Sequence, residues 1–171
     1  DSVVRGEGER TLLDLVDALD RPEGWGSIRG LSFRRDGHTV ENPPRPLIAD
    51  LNALPFPARD PPPQHYMGIG FSPIVGSRGC YADCSFCCIH AYAENARGPR
   101  YRRRSPEDIA REMKRERDTR GVRLFVFHDD NFFLPHLPTN LGRYARLHEC
   151  LDAEALDDVA LVIKCRPNDV D

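Results

Sequence analysis

Three cysteines spaced C-x3-C-x2-C, Cys80, Cys84 and Cys87, follow directly on the apolar run Ile74-Val75-Gly76. Thiolates are soft ligands, and three of them on one loop can grip a metal cluster while leaving one metal position open. A structural zinc site closes with four ligands, whereas an iron-sulfur cluster held by three protein thiolates keeps an iron free for substrate or cofactor. Zinc would need Cys88 or His90 as a further ligand, and no second C-x2-C or H-x3-H pair accompanies the first. A disulfide framework is the remaining option for six cysteines, but four of them crowd between positions 80 and 88 and the chain shows no secretory signal. Cys88, Cys150 and Cys165 stand outside the triad pattern and read as small buried apolar residues.

The elements that must position the triad are legible around it. A strand-like segment from Ser72 to Ser77 feeds the loop, and Gly79 lets the backbone turn tightly just before the first ligand. With Phe86 as the aromatic residue before the last cysteine, this stretch resembles the signature of radical S-adenosylmethionine (SAM) enzymes. In that family the motif sits on the loop after the first strand of a partial or complete (β/α) barrel, at the C-terminal face.

The resemblance implies that Cys80, Cys84 and Cys87 hold three irons of a four-iron, four-sulfur cluster, and that SAM chelates the fourth through its amino and carboxylate groups. An electron from the reduced cluster would cleave a carbon-sulfur bond of SAM, giving a 5′-deoxyadenosyl radical. The protein's part is to position and to shield. It further implies a small-molecule substrate and an electron donor such as flavodoxin or ferredoxin.

Composition sets outer limits. The 171 residues, 40% of them apolar, suffice for one core of moderate size, and a formal charge of −3 gives no global field toward nucleic acid or membrane. No apolar run approaches the roughly 18 residues of a membrane span. Thiolate-held iron needs a reducing compartment, so the expected location is the cytoplasm. A complete eight-stranded barrel takes about 200 residues or more, more than follow Cys80, and Asp1-Ser2-Val3-Val4 reads as the tail of a strand. The chain therefore reads as an internal fragment of a longer protein.

Upstream, Val3-Val4 and the turn Gly6-Glu7-Gly8-Glu9 lead into Thr11 to Leu19, where Leu12, Leu15, Val16 and Leu19 recur at helical spacing. Ile28 to Val40 reads as a hairpin around Asp36-Gly37. A proline-rich tract from Asn42 through Leu54-Pro55-Phe56-Pro57 to Pro63 reads as an extended connector. This arrangement resembles the junction in radical SAM proteins that carry an N-terminal cobalamin-binding domain, which implies a corrinoid near Gly6, Glu7, Gly8 and Glu9. An ordinary strand-to-helix turn explains these four residues equally well, and the Asp-x-His-x-x-Gly element expected of many such domains does not occur in the chain.

Downstream, Arg97, Arg100, Arg102, Arg103 and Arg104 with Tyr101 read either as a phosphate or nucleic-acid contact or as a solvated loop. Ser105, Pro106 and Asp108 announce a helix to about Thr119, with a capping box and with Glu107–Arg111 and Glu116–Arg120 pairs, lightly buried on one face. Val122 to Phe127 reads as a buried strand ending in His128-Asp129-Asp130-Asn131. Thr139 to Leu151 reads as a helix, and Val159 to Lys164 as a strand ending near Arg166. By resemblance, Asp129, Asp130 and Asn131 at the strand end contact SAM; a turn and N-cap cluster is the alternative. Arg166 could pair with the SAM carboxylate. His128, His136 and His148 have no partners at metal spacing.

The resulting expectation is an α/β chain. Residues 1–22 end a doubly wound cobalamin-type domain, 23–70 form a hairpin and connector, and 71–171 hold the first βα units of a partial (β/α) TIM-like radical SAM barrel. The expected activity is radical SAM chemistry, with cobalamin-dependent methyl transfer to an unactivated carbon. A cobalamin-associated cyclase, another rearranging enzyme or a methylthiotransferase are enzymatic alternatives. A zinc-bearing module that binds nucleic acid is the non-enzymatic one. No catalytic residue is named by the sequence.

Overall fold

A computed structural model describes residues 1–96 and 98–169, so Arg97 of the basic stretch lies outside the described residues. The chain divides into two compact units. One comprises Asp1–Ala49 and Asp83–Arg100, the other Asp50–Ala82 and Tyr101–Asp171.

The first unit is a three-stranded antiparallel sheet with helices. Strand β1 (Ser2–Val4) pairs with β2 (Leu31–Arg35), and β2 with β3 (His38–Glu41) across the expected Asp36-Gly37 turn. Both turn residues take positive φ, the conformation a two-residue hairpin demands. Helix α1 (Gly8–Asp17) starts three residues before the apolar spacing suggests, with Glu7 as its N-cap. Its Leu15 packs with Ile28, Leu31 and Phe33, while Trp25 meets Phe33 edge to face at 5.8 Å. Asn42 ties the core's margin together by donating to the carbonyls of Trp25 and Ile28. Helix α2 (Ile89–Asn95) packs Ala93 near Leu47.

The second unit is built on a four-stranded sheet in the order β4-β5-β8-β9. Strands β5 (Ile69–Ile74), β8 (Leu124–Phe127) and β9 (Ala160–Val162) run parallel, with β4 (Gln64–Tyr66) antiparallel at the edge. The strand feeding the cysteines, Ile69–Ile74, thus begins and ends three residues earlier than the Ser72–Ser77 expectation. Met67 and Gly68, both at positive φ, make a tight hairpin that the proline-rich composition concealed. A short ribbon of β6 (Ser77–Gly79) and β7 (Tyr101–Arg103) follows the feeding strand.

Helix α3 (Pro106–Arg120) starts at Ser105, whose hydroxyl accepts from the Asp108 amide, and stops at left-handed Gly121. Helix α4 (Leu137–Ala153) starts at His136, whose ring accepts from the Thr139 amide. Phe125 and Phe127 alternate inward along β8 and pack with Ile74, Ile109, Met113 and Leu147. Full burial of a phenylalanine side chain is worth about 1.5–3 kcal/mol, so this cluster secures the position of the β8 end.

Four local expectations are corrected. The capping box is half formed: the Ser105 amide donates to Asn52 Oδ1, because the Asp108 carboxylate is taken by Arg104 and Arg111. Glu107 bonds Arg146 of α4 instead of Arg111. The buried face of α3 is heavier than expected, for Asp108, Glu112 and Glu116 form a buried acidic row at i, i+4, i+8. Arg104, Arg59 of the proline-rich tract and Arg120 supply its counter-charges. Among the cysteines outside the triad, Cys150 is buried, Cys165 half-buried and Cys88 exposed, so only the first is a core residue.

Candidate functional site

The cysteine segment straddles the division of the chain, with Cys80 in the second unit and Cys84 and Cys87 in the first. All six cysteines are free thiols. Among the described residues, no three His, Cys, Asp or Glu side chains gather as ligands of a single metal ion would.

In the second unit the chain leaves β5 at Ile74 and turns through Gly76, where a side chain would press on three neighbours. A Cβ there would lie 3.1 Å from Phe127, 3.2 Å from Asp129 and 3.3 Å from Ile109. The Gly76 carbonyl accepts from the Arg104 amide at 2.9 Å, and Arg104 also donates from its guanidinium to the Val75 carbonyl. Gly79 has φ of +83°, the left-handed turn expected before the first ligand. Cys80 follows, 9% exposed, and the Ala82 amide donates to its sulfur at 3.4 Å.

The end of β8 meets this same stretch. Asp129, 2% exposed, accepts the Gly76 amide on Oδ1 at 2.7 Å and the Ser77 hydroxyl on Oδ2 at 2.6 Å. Burial pushes its carboxyl above the usual carboxylate range, and the Ser77 and Gly76 donors pull it back. Exposed Asp130 accepts the Gly79 amide at 2.9 Å. Buried Asn131 donates to Asp169 Oδ2 at 2.8 Å and accepts the Arg166 amide on Oδ1. The other Asp169 oxygen accepts the Tyr81 hydroxyl, to which the Arg166 guanidinium donates at 3.0 Å. Burial, then the bond to Asp169, raises the Tyr81 phenol.

In the first unit, Cys84 and Cys87 lie on one turn closed by the Cys87 amide donating to the Cys84 carbonyl at 3.0 Å. Both thiols are half-buried, and Phe86 between them is 91% exposed. Arg100 ends the segment, held by Asp83 and Glu94. The basic stretch is therefore largely consumed internally: Arg102 and Arg104 are buried, and Arg104 lies within the acidic row of α3. Near the chain start, Gly6 adopts φ of +76° and Glu7 accepts the Ile48 amide at 2.6 Å. A cavity of about 380 Å³ opens beside them, lined by Arg5, Gly6, Arg45 and Tyr92 among others.

Of the residues singled out from sequence, the second unit brings together Cys80, Asp129, Asp130, Asn131 and Arg166, while Cys84, Cys87 and Phe86 share one turn in the first. Sequence reasoning missed Ser77, Tyr81 and Asp169, whose partners lie 52 and 88 residues away in the chain. No local pattern announces such pairings. Among the described residues no helix is long and apolar enough to cross a membrane.

No protein-family model matches the chain. It is 36% identical over 137 residues to an uncharacterized methyltransferase, PH0819, of Pyrococcus horikoshii, covering 78% of this chain and 29% of that protein. It is 33% identical over 134 residues to the anaerobic magnesium-protoporphyrin IX monomethyl ester cyclase of Synechocystis, covering 77% of this chain and 26% of the cyclase. The chain thus spans under a third of these curated relatives. Among solved structures, the radical S-adenosylmethionine methyltransferase TsrM of Kitasatospora setae, with tryptophan and a SAM analog bound, superposes with a TM-score of 0.70 at 24% identity, over 100% of this chain and 34% of that one. Another TsrM structure, TM-score 0.65, holds cobalamin and a [4Fe-4S] cluster. At that identity the likeness speaks for the fold.

Proposed function

We propose, on the premise that this chain belongs to the cobalamin-associated branch of the radical SAM enzymes, that it carries the cluster loop and first strands of an enzyme that cleaves SAM and moves a methyl group, by way of cobalamin, onto an unactivated carbon of a small molecule. The observation that carries this reading is the cysteine segment: three free thiols on the loop that leaves a parallel strand at its C-terminal end, opened by a left-handed glycine. That donor set fits a four-iron, four-sulfur cluster with one iron open. When bound, such a cluster supplies the electron that breaks a carbon-sulfur bond of SAM.

In this reading Cys80, Cys84 and Cys87 hold the cluster. Phe86 offers an exposed ring for an apolar part of SAM, and Arg166 offers a guanidinium for its carboxylate. The turn Gly6 to Glu9 belongs to the side on which cobalamin is held. A reduced flavodoxin or ferredoxin would deliver the electron, in the cytoplasm, where thiolates stay reduced. A second reading, a cobalamin-associated cyclase, draws support from the identity to the Synechocystis enzyme.

The test is anaerobic reconstitution of the full-length protein with iron and sulfide. About four irons per chain are expected, with Cys80→Ala, Cys84→Ala or Cys87→Ala each abolishing uptake and Cys88→Ala retaining it. Loss of the cluster in Cys88→Ala with retention in a triad variant overturns the ligand assignment. S-adenosylhomocysteine among the products marks methyl transfer, whereas 5′-deoxyadenosine alone favours the cyclase.

A further inference from the structure

We infer that Asp129, Asp130 and Asn131 form a clasp that presets the backbone on both sides of Cys80, so that these three side chains are positioning residues for the first cluster ligand. The inference rests on the cluster reading above, and it reverses the usual expectation that polar groups at a strand end await a ligand.

The geometry runs in step along the two segments. Asp129 holds Gly76 and Ser77, Asp130 holds Gly79, and Asn131, through Asp169, holds Tyr81. Three consecutive residues at the end of β8 thereby fasten successive points of the loop, and Cys80 lies between the last two. The consecutive order matters, because alternate residues of an extended chain point to opposite sides. Only a chain that has left the strand and begun to turn presents all three side chains to one neighbour. His128, whose amide still donates to the Ile74 carbonyl at 2.9 Å, marks the last strand-like step.

Burial decides what Asp129 can do. At 2% exposure its two oxygens are occupied by loop donors, so a ligand's ammonium group has no open face to approach. A buried carboxylate is tolerated only when its hydrogen bonds are made. Removing it would leave the Gly76 amide and Ser77 hydroxyl buried without those acceptors. Gly76 packs closely, since a Cβ there would lie 3.1 Å from Phe127, which limits how far the loop can move to recover them. Asp130 differs, being exposed while holding a single amide.

Outer partners that orient metal ligands typically change metal affinity about 10–100-fold when removed. The test uses the full-length protein, reconstituted anaerobically without SAM, and follows iron loss to a chelator together with the electron paramagnetic resonance signal of the reduced cluster. Asp129→Ala should lose iron about 10-fold faster or more and shift the signal, and Asp129→Asn, which keeps an acceptor for the Gly76 amide, should recover most of both. Leu147→Ala, a core change in the same unit, should lower the melting temperature and leave the signal as in the wild type. If Asp129→Ala does not fold, Asp130→Ala carries the comparison, since its side chain is exposed, and a several-fold faster loss is expected. Wild-type loss rate and signal in Asp129→Ala, or in Asp130→Ala where that variant stands in, overturn the clasp even if SAM affinity falls. A wild-type protein that takes up no cluster overturns the functional reading itself and the clasp with it.

Discussion

The two halves of the cysteine segment are built on opposite principles. Residues 76–82 are held by side chains from β8 and beyond, with Cys80 buried, whereas residues 83–88 form one turn carrying an almost fully exposed Phe86. In the first half the entropy of ordering is met during folding, by hydrogen bonds that no ligand need supply. In the second half Phe86 and Cys88 are presented to solvent and the two thiols are half-buried, and ordering them is left to whatever binds. On the proposed reading, one ligand is thus placed in advance and two are offered.

The largest perturbation of the held half comes from beneath it. Glu112 accepts from Arg59 at 2.7 Å and also from Arg104, the residue whose amide and guanidinium fasten Gly76 and Val75. Glu112→Ala removes a charged acceptor shared by both guanidiniums, leaving Arg104 with Asp108 and Arg59 with Glu116, and should cost about 1.5–3 kcal/mol, measured by denaturant unfolding, with faster proteolysis after residue 75. A loss below 1 kcal/mol would mean that water reaches the acidic row and that the loop does not depend on it.

Gly79→Ala forces a Cβ into φ of +83°. A penalty of about 1–2 kcal/mol is expected, with iron uptake slowed because the turn sits beside Cys80. The matching change in the offered half, Phe86→Ala, should alter stability by no more than about 0.5 kcal/mol while weakening SAM binding, as calorimetry would show. Equal stability losses in the two variants would erase the contrast between the halves.

The smallest effect serves as a surface reference. The Arg117 hydrogen bond holds the Asp158 carboxyl below its usual range. Its folded pKa is depressed, so the stability it lends is present above the ordinary carboxylate pKa of about 3.9 and fades as pH falls below it. The pair is exposed and screened by salt. Asp158→Asn should flatten only the acid edge of the melting profile, and only at low ionic strength.

How much of this was readable beforehand depends on how far apart the partners lie. Ser105 and Gly121 delimit α3, and Asp36-Gly37 turns the hairpin, because caps and turns are decided within a few residues. The buried acidic row Asp108, Glu112 and Glu116 has no counterpart in the sequence reading, since nothing local reveals that Arg59, 53 residues upstream of Glu112, will reach it. The hairpin at Met67-Gly68 was hidden by its proline-rich surroundings, and the exposed Cys88 by its neighbours in the triad.

The sequence by itself determined the chemistry on offer. Ligand type and spacing within 80–87, the left-handed glycine before them and the alternation of β and α segments are local properties that a chain carries wherever it folds. Tertiary structure alone decided which polar groups at the end of β8 face the loop. That choice depends on the register of β5 against β8, Ile74 opposite Phe127, and on the packing that buries Phe127 beneath Gly76. Aspartate suits a turn, a cap or a ligand equally well, and only its burial against amides from 53 residues away makes it a fastening.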